Sequence, residues 1–283
     1  MKLETAIKNA CEHLKSNNIK SALLDSELLM AHVTNKSREY IILNSNNDIS
    51  KKDFGNFQNM INQRSEGKPT AHLMKKKFFW KYEFFVNKHV LIPRPDTEII
   101  VEQVLNIYRN KNNINLLDIG FGSGCILLSL LKERKDFRAR GVDISNHALK
   151  VCKINAYKLG VRSRIKLYNS DIDKFSLGKY DLILSNPPYI KNLDFKYLEK
   201  DVRNFEPKVA LSGGLDGISE IRKVIKKSSE LIKFGGKLIL EIAYNQKQEV
   251  KQLLEKNGFY INSVVKDLAS NDRCIISTKI EEQ

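Results

Sequence analysis

From about residue 113 the chain alternates short apolar runs with helical ones, and this alternation restricts the fold more than any other feature. "INLLDIG" reads as a buried strand and "CILLSLLKER" as a helix, then "RARGVDIS" as a strand and "NHALKVCKINAYKLG" as a helix. "RIKLYNSDI", "YDLILS" and "KLILEI" are further strands, with a helix over 218–231 between the last two. Strands spaced by helices in this way predict a mainly parallel sheet covered on both faces. The first 65 residues are different. Leu3, Ala6, Ile7, Ala10, Cys11 and Leu14 follow the rhythm of an amphipathic helix, and helices are expected over 22–33, 37–43 and from a cap at Ser50 to about Arg64. Gly67-Lys68-Pro69 breaks the pattern. Phe78-Phe79-Trp80 and Phe84-Phe85-Val86 then flank Lys81-Tyr82-Glu83 as a hairpin or connecting arm. A helix capped by Asp96 or Thr97 follows. The expected organisation is a small helical domain over 1–65, an arm over 66–97 and an α/β domain over 98–283.

Composition narrows the classes of function. No run of about 18 apolar residues is present, so no spanning helix is expected. The first residues, Met1 to Thr5, lack the apolar core of a signal peptide. Cys11, Cys125, Cys152 and Cys274 are scattered without C-x-x-C spacing, and the five histidines show no metal-ligand spacing. Free thiols in a reducing cytoplasm and no metal are the expectation. A net charge of +15 is compatible with a nucleic-acid partner. The lysines are nevertheless spread along the chain, with only Lys75-Lys76-Lys77 as a tight run, so charge alone does not choose the substrate.

Two turns carry chemistry. "DIGFGSG", Asp118 to Gly124, leaves a strand and enters a helix. Gly120, Gly122 and Gly124 let the backbone turn sharply and approach a ligand closely. Asp143 ends the second strand, where an acid can accept both hydroxyls of an adenosine ribose. Asp171 ends the third and could reach the adenine amino group. A generic tight turn with two helix-capping aspartates is the plainer alternative. It is disfavoured because all three features fall at the carboxyl ends of successive strands, where open α/β sheets bind ligands. The spacing is G-x-G-x-G with Asp118 two residues ahead, not the G-x-G-x-x-G fitted to pyrophosphate. S-adenosylmethionine, cationic and without phosphate, suits such a loop.

The second turn is "SNPPYI", Ser185 to Ile190. Two prolines stop a buried strand and hold the residues around them rigid. The side-chain oxygen of Asn186 and the carbonyl of Pro187 can grip both N–H bonds of an amide or amine, and Tyr189 can stack on its flat face. The plainer alternative is a strand terminator with an incidental tyrosine.

The chain resembles the class I methyltransferases, and more closely the bacterial release factor glutamine methyltransferases, the HemK or PrmC proteins. "PTAHLMKKKFFW", "LIPRPDTE", "LLDIGFGSG", "VDIS", "LILSNPPYI", "FEPKVALSGGLDG" and "GGKLILEIAYNQ" carry the likeness over nearly the whole chain. The resemblance implies a Rossmann-like methyltransferase domain behind an N-terminal helical bundle that docks the release factor. It implies catalysis by Asn186, Pro187 and Tyr189, with Pro188 also at the substrate. It implies S-adenosyl-L-methionine, converted to S-adenosyl-L-homocysteine, at Gly120, Phe121, Gly122, Ser123, Gly124, Asp143, Asp171, Ile172 and Asn186. The substrate implied is glutamine N5 in the Gly-Gly-Gln loop of release factors, methylated by a cytoplasmic monomer that needs no nucleic acid. A ribosomal-protein glutamine methyltransferase, an adenine-N6 or guanine-N2 nucleic-acid enzyme, and a dehydrogenase-like nucleotide-binding module are the competing readings. Arg94 and Glu98 could line the cofactor entrance or tie the arm to the sheet. Phe78, Phe79 and Trp80 either cover the adenosine or belong to the core, and Glu206 and Pro207 are expected to hold the loop after NPPY against the sheet. Lys75, Phe121 and Ala243 depart from the family pattern, which more often has Gly, a small residue and Gly there.

Overall fold

The computed structural model describes residues 1–280. The chain forms two compact units. One comprises Met1–Lys76 with Glu199–Phe205, and the other Lys77–Leu198 with the residues from Glu206 onward.

The first unit is helical: α1 (Leu3–Ser16), α2 (Ala22–Thr34), α3 (Arg38–Leu43), α4 (Lys51–Ser65) and the short α5 (Thr70–Met74). Ser37 and Ser50 cap α3 and α4, their hydroxyls accepting the backbone N–H of Tyr40 and Asp53. The apolar stripe read in α1 is buried with Leu29 and Met30 of α2 and Phe57 of α4. Inside this unit Arg64 donates from Nε to Oδ2 of Asp25 at 2.7 Å, with both side chains more than nine-tenths buried. A short helix from far along the chain, Lys200–Phe205, joins the unit. Arg64 Nη2 lies 3.9 Å from its Asp201, and Gly67 packs beside Lys200 and Phe205.

The second unit opens with a hairpin, β1 (Lys76–Phe79) and β2 (Tyr82–Phe85). Its turn is Trp80-Lys81, one residue earlier than the sequence suggests, with Trp80 at φ +56°. The backbone N–H of Trp80 donates to Glu98 Oε1 and its indole N–H to Glu133 Oε1, and these bonds hold the turn in place. Then follow α6 (Glu98–Ile107), β3 (Asn115–Ile119), α7 (Cys125–Glu133), β4 (Arg138–Asp143), α8 (Asn146–Lys158), β5 (Ile165–Asn169), β6 (Tyr180–Ser185), α9 (the Lys200–Phe205 helix of the first unit), α10 (Ser219–Leu231), β7 (Ile232–Glu241), α11 (Lys247–Lys256), β8 (Phe259–Lys266) and β9 (Asp272–Lys279).

The seven strands run in the order β5-β4-β3-β6-β7-β9-β8. The first five are mutually parallel, and β9 lies antiparallel to both β7 and β8. Leu116, Leu117, Leu182, Ile183 and Leu184 of the central strands are fully buried, as a sheet covered on both faces requires. The strand order reverses between β3 and β6. At such a switch point the loops leaving the two strands diverge and open a crevice beyond their carboxyl ends.

Candidate active site

A cavity of about 390 Å³ occupies that crevice, walled by the ends of β3, β4 and β6 and the turn after β5. The glycine turn forms one wall. Gly120 and Gly122 have φ of +76° and +52°, and a Cβ on either would project into open space. This leaves a bare backbone cradle facing the cavity. The cradle is braced from behind. Gly122 N–H donates to Asp143 Oδ2 at 2.9 Å, and the buried amide of Asn155 on α8 donates to Ser123 O at 2.9 Å. Phe121 and Ser123 line the cavity, and Phe121 is buried over Gly141, where a Cβ would collide with its ring. Gly124 does not line it. A Cβ there would meet Cys152 Sγ at 2.6 Å, so this glycine serves the close packing of α7 on α8 and not ligand contact.

Acids flank the cradle. Asp143 also accepts the N–H of Ser145, at 2.8 Å, and burial raises its pKa. Asp171 accepts the N–H of Asp173, and both Asp171 and Ile172 line the cavity. Asp118 lies two residues before Gly120 and is 1% exposed, with neither carboxylate oxygen hydrogen-bonded by a side chain. Burial, then the charge of Asp143, pushes its pKa up to about 8, against a weak opposing pull from the backbone of Leu127.

The NPPY turn closes the far end. Ser185 Oγ donates to Ile119 O at 2.7 Å, tying the end of β6 to that of β3. Asn186, Pro187 and Pro188 line the cavity. Asn186 Nδ2 donates to Thr97 Oγ1 at 3.1 Å. Tyr189 stands outside the lining. Its ring packs on the core and its hydroxyl donates to Glu241 Oε1 at 3.3 Å, not over the space a substrate amide would fill. Burial raises its pKa well above the usual phenol range. Gln246 braces the turn from beneath, donating to the carbonyls of Tyr189 and Gly217 while accepting the N–H of Ala243.

The arm supplies a wall that the sequence only half reveals. Arg94 lines the cavity and donates to the buried Glu206, which also accepts the N–H of Ile92. Glu206 therefore holds the segment after NPPY against the arm and not against a strand. Thr97 caps nothing. It ends a 3₁₀ turn, Pro95–Thr97, and turns its hydroxyl to Asn186. Phe78 is exposed, Phe79 is buried, Trp80 is bound to Glu98 and Glu133, and none of the three lines the cavity.

Comparison with known proteins fits this geometry. A family model of the PrmC N-terminal domain matches residues 5–74, and one of a methyltransferase domain matches 110–280. The release factor glutamine methyltransferase of Clostridium acetobutylicum is 36% identical over 282 residues, 99% of each chain. The chain belongs to the release factor glutamine methyltransferase family. A bifunctional methyltransferase of Rickettsia typhi is 34% identical over 292 residues, covering 96% of this chain, which spans only 56% of that protein's length. A methyltransferase structure from Pyrococcus furiosus overlays with a TM-score of 0.53 at 17% identity, over 70% of this chain and 89% of that one, and shares its fold.

As a member of this glutamine methyltransferase family, the chain is an S-adenosylmethionine-dependent enzyme. The residues present fit that cofactor. The open glycine cradle offers backbone N–H groups to a carboxylate, and Asp143 and Asp171, which line the cavity, suit a cation and a ribose better than a phosphate. Glu241, Gln246 and Asn155 were not singled out from the sequence, and Thr97 only as a candidate helix cap. The signal for three of them was present, because Thr97 lies in "LIPRPDTE", and Glu241 and Gln246 in "LILEIAYNQ".

Proposed function

We propose that this chain transfers a methyl group to the side-chain amide nitrogen, N5, of the glutamine in the Gly-Gly-Gln loop of peptide chain release factors. The observation that carries the reading is that Asn186 and Pro187 line the same cavity as the glycine cradle, so methyl donor and amide acceptors share one space. Likeness over the whole chain to a protein named release factor glutamine methyltransferase supports the substrate.

An amide nitrogen is a weak nucleophile because its lone pair is delocalised into the carbonyl. In this reading Asn186 Oδ1 and the carbonyl of Pro187 each accept one N–H of the substrate amide. They orient the nitrogen and stabilise the positive charge that grows on it. Bound S-adenosylmethionine supplies an electrophilic methyl on its sulfonium. Asp143 and Asp171 would hold its adenosine, and the amides of the cradle its methionine carboxylate. No base acts at the outset, since the proton leaves after the N–C bond forms. Tyr189 contributes by fixing the turn.

The helical unit serves as the docking site for the release factor. It matches the PrmC N-terminal model and exposes apolar residues of α2 and α3, among them Leu23, Ile42 and Leu43. The same reading has a monomer acting on protein in the cytoplasm, without nucleic acid. Among the described residues no helix is long and apolar enough to cross a membrane.

The test is transfer of labelled methyl to purified release factors, ribosomal proteins and tRNA in parallel. Release factor takes the label, and changing its loop glutamine to alanine abolishes labelling. Asn186→Ala lowers kcat on the order of a hundredfold with folding preserved. Label appearing in a ribosomal protein or in tRNA in preference to release factor overturns the assignment.

A further inference from the structure

The NPPY turn raises a question of orientation. A primary amide side chain has an acceptor end and a donor end, and only the oxygen of Asn186 can accept a substrate N–H. We propose that Thr97 and Glu241 are positioning residues that hold the Asn186 amide with its nitrogen turned away and its oxygen turned to the substrate. This rests on the glutamine-methylating reading above.

The geometry gathers Asn186, Thr97, Glu241 and Tyr189 at one point of the fold. Asn186 Nδ2 donates to Thr97 Oγ1 at 3.1 Å. Thr97 is 2% exposed, and its hydroxyl faces the carboxylate of Glu241. Glu241 ends β7, beside β6 in the sheet, and also accepts the hydroxyl of Tyr189. An ionised carboxylate only accepts. Tyr189 gives its hydrogen to it, and a Thr97 hydroxyl facing an ionised Glu241 can only do the same, which leaves Thr97 a lone pair for Asn186 Nδ2. A protonated Glu241 is itself a donor, and the direction of the Thr97 hydroxyl is then no longer imposed.

A purely structural residue would not look like this. Glu241 is 2% exposed and its Oε2 has no hydrogen-bond partner. A glutamine would fill the same space without the desolvation cost of a carboxylate. The groups facing it are Arg273 and Cys274 from β9, Asp96 from the 3₁₀ turn, Tyr189 from the NPPY turn and Cys125 from α7. Burial outweighs the Thr97 hydroxyl and the Arg273 charge, so its pKa rises to about 7. Arg273 is itself engaged by Asp267 at 2.9 Å.

The test measures steady-state methylation of release factor by the full chain, wild type against Thr97→Val, Thr97→Ser and Glu241→Gln, from pH 6 to 9. Thr97→Val should lower kcat about tenfold or more, as a misplaced reacting group does. Its affinity for S-adenosylmethionine should stay within twofold, and Thr97→Ser should recover most of the rate. The wild type should lose kcat as pH falls through about 7, and Glu241→Gln should lose that acid limb. In the unliganded protein, NMR of the Asn side-chain amides should show one Asn186 Nδ2 proton protected in the wild type and unprotected in Thr97→Val. Near wild-type turnover in Thr97→Val, or an acid limb unchanged in Glu241→Gln, overturns the proposal. If the wild type fails to methylate release factor, the functional reading falls, and the Asn186 amide signals still decide this one.

Discussion

Each unit buries a carboxylate, and the two treat it in opposite ways. In the helical unit Asp25 is matched by Arg64 at 2.7 Å and by the Ser21 hydroxyl at 2.7 Å, both on Oδ2, so the buried charge has an opposite charge and a second donor beside it. In the sheet unit Asp118 meets no such partner, and Glu241 leaves one oxygen bare. A folding requirement alone would remove or pair such groups, because an unpaired buried charge is destabilising. Both lie near the carboxyl ends of their strands, beside the cavity but not among the residues that line it. The sheet unit also pairs buried acids, Glu206 with Arg94 and Asp267 with Arg273, so the contrast lies with the two acids at the strand ends beside the cavity.

The largest expected effect tests that contrast by its sign. Folded, Asp118 keeps its proton up to about pH 8, whereas the unfolded chain gives it up near 3.8. Between those values the unfolded state holds fewer protons than the folded one, so stability falls as pH rises. At about 1.4 kcal/mol per unit the fall is on the order of 5 kcal/mol. Asp118→Asn should flatten most of it and make the ligand-free protein more stable at pH 8 in urea titrations. The remaining fall belongs to Glu241, ending near pH 7, and to Asp143, whose pKa burial also raises. Destabilisation by Asp118→Asn at pH 8 would erase the distinction between Asp118 and the paired Asp25.

The paired acid should behave in the opposite sense. Arg64→Met strands Asp25 in the interior and should cost about 3–5 kcal/mol. Adding Asp25→Leu should recover most of that loss, since an apolar pair of similar volume replaces the ion pair. A double variant no better than the single one would show that Arg64 acts mainly through Asp201 and the Lys200–Phe205 helix.

Asp143 lies between the two extremes, a buried acid with two backbone donors and acceptor capacity to spare. Asp143→Ala should weaken S-adenosylmethionine binding about tenfold or more, since charge-assisted hydrogen bonds are worth roughly 1.5–3 kcal/mol. Calorimetry reads this directly. Unchanged affinity would mean that Asp143 only braces Gly122 and Ser145.

The same contrast explains what the sequence made legible. β6 and the glycine turn were readable because each is local: an apolar run ended by prolines, and glycines between a strand and a helix. The strands β8 and β9 were not, because β8 at the sheet edge is half-exposed and lacks a continuous apolar run, and the apolar run of β9 is only Cys274–Ile276. The membership of Lys200–Phe205 in the helical unit was not legible either. Its contacts to Arg64 and Gly67 span more than a hundred residues, and no local pattern announces them. At the site, the residues that touch the cavity through glycine or proline geometry were found. Thr97, Glu241 and Gln246 act on other side chains or carbonyls across the fold, and their identities alone suggest nothing.

The smallest effect concerns strain that no ligand needs. Lys75 caps α5 in the left-handed region, at φ 54° and ψ 30°, with its N–H on Ala71 O. Glycine adopts that conformation without the clash of a Cβ, which costs other residues roughly 1–2 kcal/mol. Lys75→Gly removes the clash but also loosens the unfolded chain, which offsets about 0.4–1 kcal/mol of the gain. A net stabilisation of about 0.5 kcal/mol is expected as a small rise in the urea midpoint. Because the cavity lies wholly in the sheet unit, S-adenosylmethionine affinity should not change. A fall in stability would show that the Lys75 side chain itself holds the turn. A change in cofactor affinity would mean that strain in the helical unit is felt at the cradle, and the separation of the two units would no longer stand.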